Sequence, residues 1–68
     1  MAIEPFEKRF GMIAMGKGFI TLGELFAALK VQVNEEIEEG RHRLIGEIML
    51  EQGFITSEQI QEVVKSIL

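Results

Sequence analysis

The sequence predicts an all-α fold of four helices, built as two tandem αα-hairpin repeats offset by 35 residues. Three observations predict it. The tetrapeptide GFIT occurs at Gly18-Phe19-Ile20-Thr21 and again at Gly53-Phe54-Ile55-Thr56. Each Thr opens a capping box, and the apolar residues that follow fall at helical spacing. At the same offset Gly11 pairs with Gly46, Ile13 with Ile48 and Lys30 with Lys65, which makes seven identities over the 21 positions from Phe10 to Lys30. A repeat of this length marks a supersecondary unit that cannot bury its apolar face alone, so the two copies are expected to form one domain over 1–68. The first repeat covers about 5–40 and the second about 43–68.

The elements follow in order. A first helix runs from Pro5, which suits an opening turn, to about Met15, and Gly18 stops it. Phe19-Ile20 plugs the joint, with Ile20 placed for a hydrophobic staple. Thr21-Leu22-Gly23-Glu24 starts the second helix: the Thr hydroxyl accepts from an orphan amide and Glu24 reaches back. Leu22, Leu25, Phe26, Leu29, Val33 and Ile37 make its expected apolar face, and Gly40 suits a left-handed terminator. A third helix runs roughly from Arg43 to Leu50. Gly53 stops it, Phe54-Ile55 plugs the second joint, and Thr56-Ser57-Glu58-Gln59 caps the last helix, whose apolar set is Ile60, Val63, Val64 and Ile67.

A chain of this size buries only about 60% of its unfolded surface, so self-association is expected. Without cysteine there is no disulfide frame and no thiolate metal site, and nothing reads as a spanning or cleaved segment; a cytoplasmic setting without membrane insertion is expected. All eleven acidic residues are Glu and the net charge is −4, which gives no general attraction to nucleic acid.

The catalytic motifs are thin. Gly11-Met12-Ile13-Ala14-Met15-Gly16-Lys17 has the spacing of a phosphate-binding loop, yet Gly18 stands where a magnesium-holding hydroxyl belongs, and the intervening residues read as a buried helix face. His42, the one histidine, lies in an Arg-flanked polar turn and reads as solvated. Ser57 and Ser66 have no base nearby in sequence, and Glu35 and Glu39 share a helix face without a desolvated cleft. The Glu35-Glu36 and Glu38-Glu39 pairs followed by Arg41-His42-Arg43 read as a solvated helix end whose cations complement the dipole. No enzyme, metal or cofactor is expected. Met12, Met15 and Met49 suit a core or a self-association surface.

Arg9-Phe10-Gly11, then Gly18-Phe19-Ile20, then Leu25, Leu29 and Gln32 resemble the R-L-G … G-L-I … L … L … Q motif of the MshEN family. That family is the N-terminal domain of bacterial type II secretion and type IV pilus assembly ATPases. The second copy, RLIGEIMLEQGFITSEQIQEVV, is similar in wording. In the family, two tandem helical motifs bind one cyclic di-GMP. The resemblance implies a ligand set of Arg9, Phe10, Gly11, Gly18 and Gln32 from the first copy with Arg43, Gly46 and Gly53 from the second. Arg9 would meet a guanine, Gly11 would allow close approach and Gln32 would close the first motif. In the second copy Leu44 holds the place of Arg9, Arg43 precedes it, and Ile67 holds the place of Gln32. Two functions are therefore expected: foremost a small protein-interaction or adaptor module that dimerises or docks onto a protein partner, with a cyclic di-GMP receptor as the alternative.

Overall fold

The computed structural model describes residues 5–68. Among them are four helices and no strand: α1 (Pro5–Gly16), α2 (Leu22–Glu38), α3 (Ile45–Glu51) and α4 (Ser57–Ile67). Both capping boxes form. Thr21 Oγ1 accepts from Glu24 N at 3.1 Å while Glu24 Oε1 accepts from Thr21 N at 2.8 Å. Thr56 and Gln59 repeat the exchange at 3.1 and 3.0 Å. Gly18 and Gly53 end α1 and α3 with φ of 78° and 81°, a region that L side chains enter only at a cost. The amide of the following Phe then bonds back across the turn, Phe19 to Ala14 O and Phe54 to Met49 O, each at 2.9 Å. The two joints are one structure built twice, with Ile20 and Ile55 buried at the same place in each.

The repeats interlock. α1 packs against α4, α2 packs against α3, and α1 also meets α3. The first helix of each repeat thus lies on the second helix of the other, a pseudo-two-fold arrangement in which neither hairpin closes its own core. Phe10, Ala14, Ala28, Ile45, Ile48, Met49 and Val63 form the centre. Burying each larger one contributes on the order of 1.5–3 kcal/mol. The repeat-related Gly11 and Gly46 are both close-approach positions. A Cβ on Gly46 would come within 3.1 Å of the Phe10 ring, and one on Gly11 within 3.0 Å of Leu25 Cδ1.

Two expectations are corrected. α3 starts at Ile45 rather than Arg43, because Leu44 is extended with ψ 144° and Arg43 is drawn into side-chain bonds before the helix begins. The core-facing side of α2 is also not the one its apolar residues mark. Leu22, Phe26 and Ile37 are exposed by 53, 60 and 70%, whereas Gln32 and Glu35 are buried beside Ala28. Leu25 and Leu29 still pack against the core from the flank. The polar residues turn inward because charged and polar partners wait there.

Candidate functional site

The most elaborate chemistry lies where α1, α2 and the 39–44 connection converge. Glu7 on α1 is 3% exposed. Its neighbours on that face are Phe10 and Ala14, three and seven residues on, so the helix carries an acid directly into the core. Three groups meet it. Gln32 Nε2 donates to Glu7 Oε2 at 2.5 Å, the Ile45 amide donates to Glu7 Oε1 at 3.3 Å, and His42 Nε2 lies 3.5 Å from the same oxygen. The Ile45 amide is the first of α3, and that helix has no side-chain cap of its own, since Leu44 occupies the N-cap. Glu7 therefore caps α3 from another helix, and its charge faces the positive end of the α3 dipole.

Gln32 completes the link by using its other amide hydrogen on Arg43 O at 2.8 Å. The Arg43 side chain turns outward from that point and forks. Nε and Nη2 donate to the two Glu35 oxygens at 2.9 and 2.6 Å, and Nη1 and Nη2 donate to Glu51 at 2.9 and 3.2 Å. The planar guanidinium thus ties the end of α2 to the end of α3, the geometry for which arginine is suited. Hydrogen bonds from Arg43 hold the Glu35 and Glu51 carboxyls below their ordinary values, with burial opposing, and those carboxylates raise Arg43 in return. Arg41 adds longer contacts to Glu35 at 3.7 Å and Glu39 at 3.6 Å. Among the described residues no buried side-chain nitrogen or oxygen lacks a partner.

The Arg41-His42-Arg43 turn is accordingly more than a solvated helix end. His42 stands between two acids, Nδ1 3.2 Å from Glu36 and Nε2 3.5 Å from Glu7, instead of free in solvent. Sequence reasoning missed Glu7, and two signals mark it: a lone acid in the Phe10–Ala14 register, and the absence of Ser, Thr, Asp or Asn before Ile45.

The residues of the expected ligand set divide into groups. Gln32 and Arg43 come together, engaged with Glu7, Glu35 and Glu51. Phe10 and Gly46 also come together, the ring filling the space over the glycine. Gly11 is buried against Leu25 within α1, and Gly18 and Gly53 sit at the helix exits. Arg9 stands apart. It is exposed on the side of α1 away from Glu7, in an open concavity with Lys8, Met12 and Ile13. Glu7, its nearest described acid in sequence, faces inward, and Glu4 lies outside the described residues.

Two apolar features face out. Phe6, Phe10, Leu44, Leu50, Ile60 and Val64 line a cleft of about 160 Å³ between α1, α3 and α4. That is the space of roughly one aromatic ring. The other feature is the outer face of α2. At about 100° per residue, Leu22, Phe26, Leu29, Val33 and Ile37 fall within an arc of roughly 80°. Leu29 and Val33 are half-buried and the other three are exposed.

Compared with protein-family models, curated proteins and solved structures, this chain finds no match. What the fold defines is a class, a four-helix domain of duplicated, interlocked hairpins. Among the described residues no helix is long and apolar enough to cross a membrane, and no cluster of acids and His is arranged to hold a metal ion.

Proposed function

We propose that this chain is a small non-enzymatic helical interaction module of MshEN-like design that self-associates. The observation that carries the reading is the outer face of α2. The longest described helix, 17 residues, turns Leu22, Phe26 and Ile37 to solvent and Gln32 and Glu35 to the core. A surface helix ordinarily does the reverse, and a contiguous exposed apolar face marks a contact surface. Gln32 and Arg43 support the reading as well, because their hydrogen-bonding groups hold the fold together and are not directed at a ligand. Sedimentation equilibrium of the full chain from micromolar to millimolar concentration tests it. Association that rises with concentration is expected, and a monomer throughout would end the proposal.

A second reading, a cyclic di-GMP receptor, is favoured by Arg9 alone. Its guanidinium is exposed in an open concavity beside Met12 and is able to stack on or fork to a guanine. Calorimetric titration with cyclic di-GMP, with GTP as control, decides it: micromolar binding lost in Arg9→Ala would put the receptor first, and no heat would remove it.

A further inference from the structure

The outer face of α2 has a symmetry of its own. Leu22 and Ile37 lie at equal distances from a midpoint between Leu29 and Lys30, and so do Phe26 and Val33. A stripe with that spacing matches itself when reversed. We infer that two copies of this chain pair through α2 in antiparallel, isologous contact, with the two-fold axis beside Leu29. The inference rests on the self-association proposed above and names its surface and orientation. Under that axis Leu22 meets Ile37 of the second copy, Phe26 meets Val33, and the two Leu29 side chains meet at the centre, so every apolar residue of the stripe finds an apolar counterpart.

Charge selects the same orientation. At the C-terminal end of α2, Arg43 pairs with Glu35 and Arg41 with Glu39, which leaves Glu38, and Glu36 beside His42, as the acidic charge there, against Glu24 alone in the first turn. Parallel pairing would lay the acidic ends beside each other and align the two helix dipoles. Antiparallel pairing sets each acidic end against the positive N-terminal end of the other helix. Lys30, the only basic residue in α2, borders the stripe near the axis, and its long stem carries the ammonium out to solvent.

A second copy also fits the scale of the surface. The helix is about 25 Å long, and a contact limited to one such face falls at the small end of specific interfaces, below roughly 1,200 Å² in total. The result is a dimer seen at micromolar or higher concentration. With a net charge of −4 on each copy, added salt should tighten it by screening the repulsion.

The absence of cysteine makes the orientation directly testable by single-cysteine variants under oxidation. Leu29→Cys is expected to cross-link to itself. Leu22→Cys and Ile37→Cys are each expected to remain uncrosslinked alone and to cross-link when mixed. Phe26→Ser, at an exposed position, should raise the dissociation constant at least tenfold while leaving the circular dichroism of the monomer unchanged. Self-cross-linking of Leu22→Cys or Ile37→Cys would overturn the antiparallel geometry. A dimer that persists in Phe26→Ser and yields none of these cross-links would overturn the α2 interface and leave self-association standing. A parent chain that stays monomeric in light scattering at millimolar concentration would remove both.

Discussion

Glu7 and Gln32, 25 residues apart in sequence, share a buried hydrogen bond of 2.5 Å that joins α1 to α2. The other oxygen of the same carboxylate receives the first amide of α3. One acid thus touches three of the four helices, and it does so at the only described helix start that a capping box leaves uncapped and whose N-cap is described. The second repeat lacks a capping residue at α3, and the first repeat supplies one.

Replacing either partner should therefore cost more than an exposed polar substitution. Glu7→Ala leaves the Ile45 amide and one amide hydrogen of Gln32 without an acceptor and removes one of the two acids beside His42, and is expected to destabilise by about 3 kcal/mol. Gln32→Leu leaves one carboxylate oxygen and the Arg43 carbonyl short of a donor, and is expected to cost about 2 kcal/mol. The double variant should cost less than the sum, because each single change strands a group that the second removes. Urea denaturation of all four proteins measures the coupling. Additive losses would mean that the two residues act separately.

The Arg43 fork predicts the acid limit of the fold. Its hydrogen bonds lower the Glu35 and Glu51 carboxyls in the folded state. A lowered folded value means that the unfolded chain takes up these protons first as pH falls. The stabilisation is fully present above the ordinary carboxylate range, roughly pH 4.3, and is lost as pH falls through the lowered values. Thermal melts at descending pH should show the parent losing melting temperature most steeply below about pH 4.5. Arg43→Gln should start lower at neutral pH and fall less steeply. Parallel curves for parent and variant would show that other carboxylates set the acid limit.

The architecture was legible in the sequence wherever a local rule operated. Gly18, Gly40 and Gly53 all take the left-handed conformation their positions implied, and Thr21 and Thr56 both cap. The repeat indicated two hairpins, and the helices pack in a way that agrees with it. Interior contacts were less legible. Periodicity in α2 marks the apolar stripe, but the inward side was decided by Glu7 and Arg43, partners 25 and 8 residues away from the groups they bind. No local pattern shows a carboxylate that caps another helix. Of the expected ligand set, the glycines and Phe10 could be placed in advance on helix exits and faces, whereas the engagement of Gln32 and Arg43 with acids depends on the tertiary structure.

The duplicated joint predicts equal penalties at equivalent positions. Gly18→Ala and Gly53→Ala meet no steric obstacle, as nothing lies within 4 Å of either added Cβ, so each should cost only the left-handed strain of about 1–2 kcal/mol. Thr21→Ala and Thr56→Ala each remove one side-chain cap and should cost about 1 kcal/mol. Chemical denaturation of the four variants checks both pairs. Amide hydrogen exchange adds a local reading, with faster exchange expected at Glu24 in the first Thr variant and at Gln59 in the second. A large difference within either pair would show that the repeats have diverged energetically despite their matching geometry.

The inverted α2 separates what stabilises the monomer from what its hydrophobicity suggests. Phe26→Gln and Ile37→Gln alter side chains that are 60 and 70% exposed, so each should change monomer stability by no more than about 0.5 kcal/mol. Ala28 is fully buried, and a larger side chain there must displace its neighbours in the core, so Ala28→Leu should cost about 1–3 kcal/mol although it raises the helix's apolar content. Denaturation at nanomolar concentration, below the range in which the proposed dimer forms, isolates these effects. Repeating the Gln variants at high concentration should then show a loss of stability relative to the parent that was absent when dilute, because dissociation removes the mass-action contribution of the dimer. The same small loss at both concentrations would mean that the outer face of α2 takes no part in association.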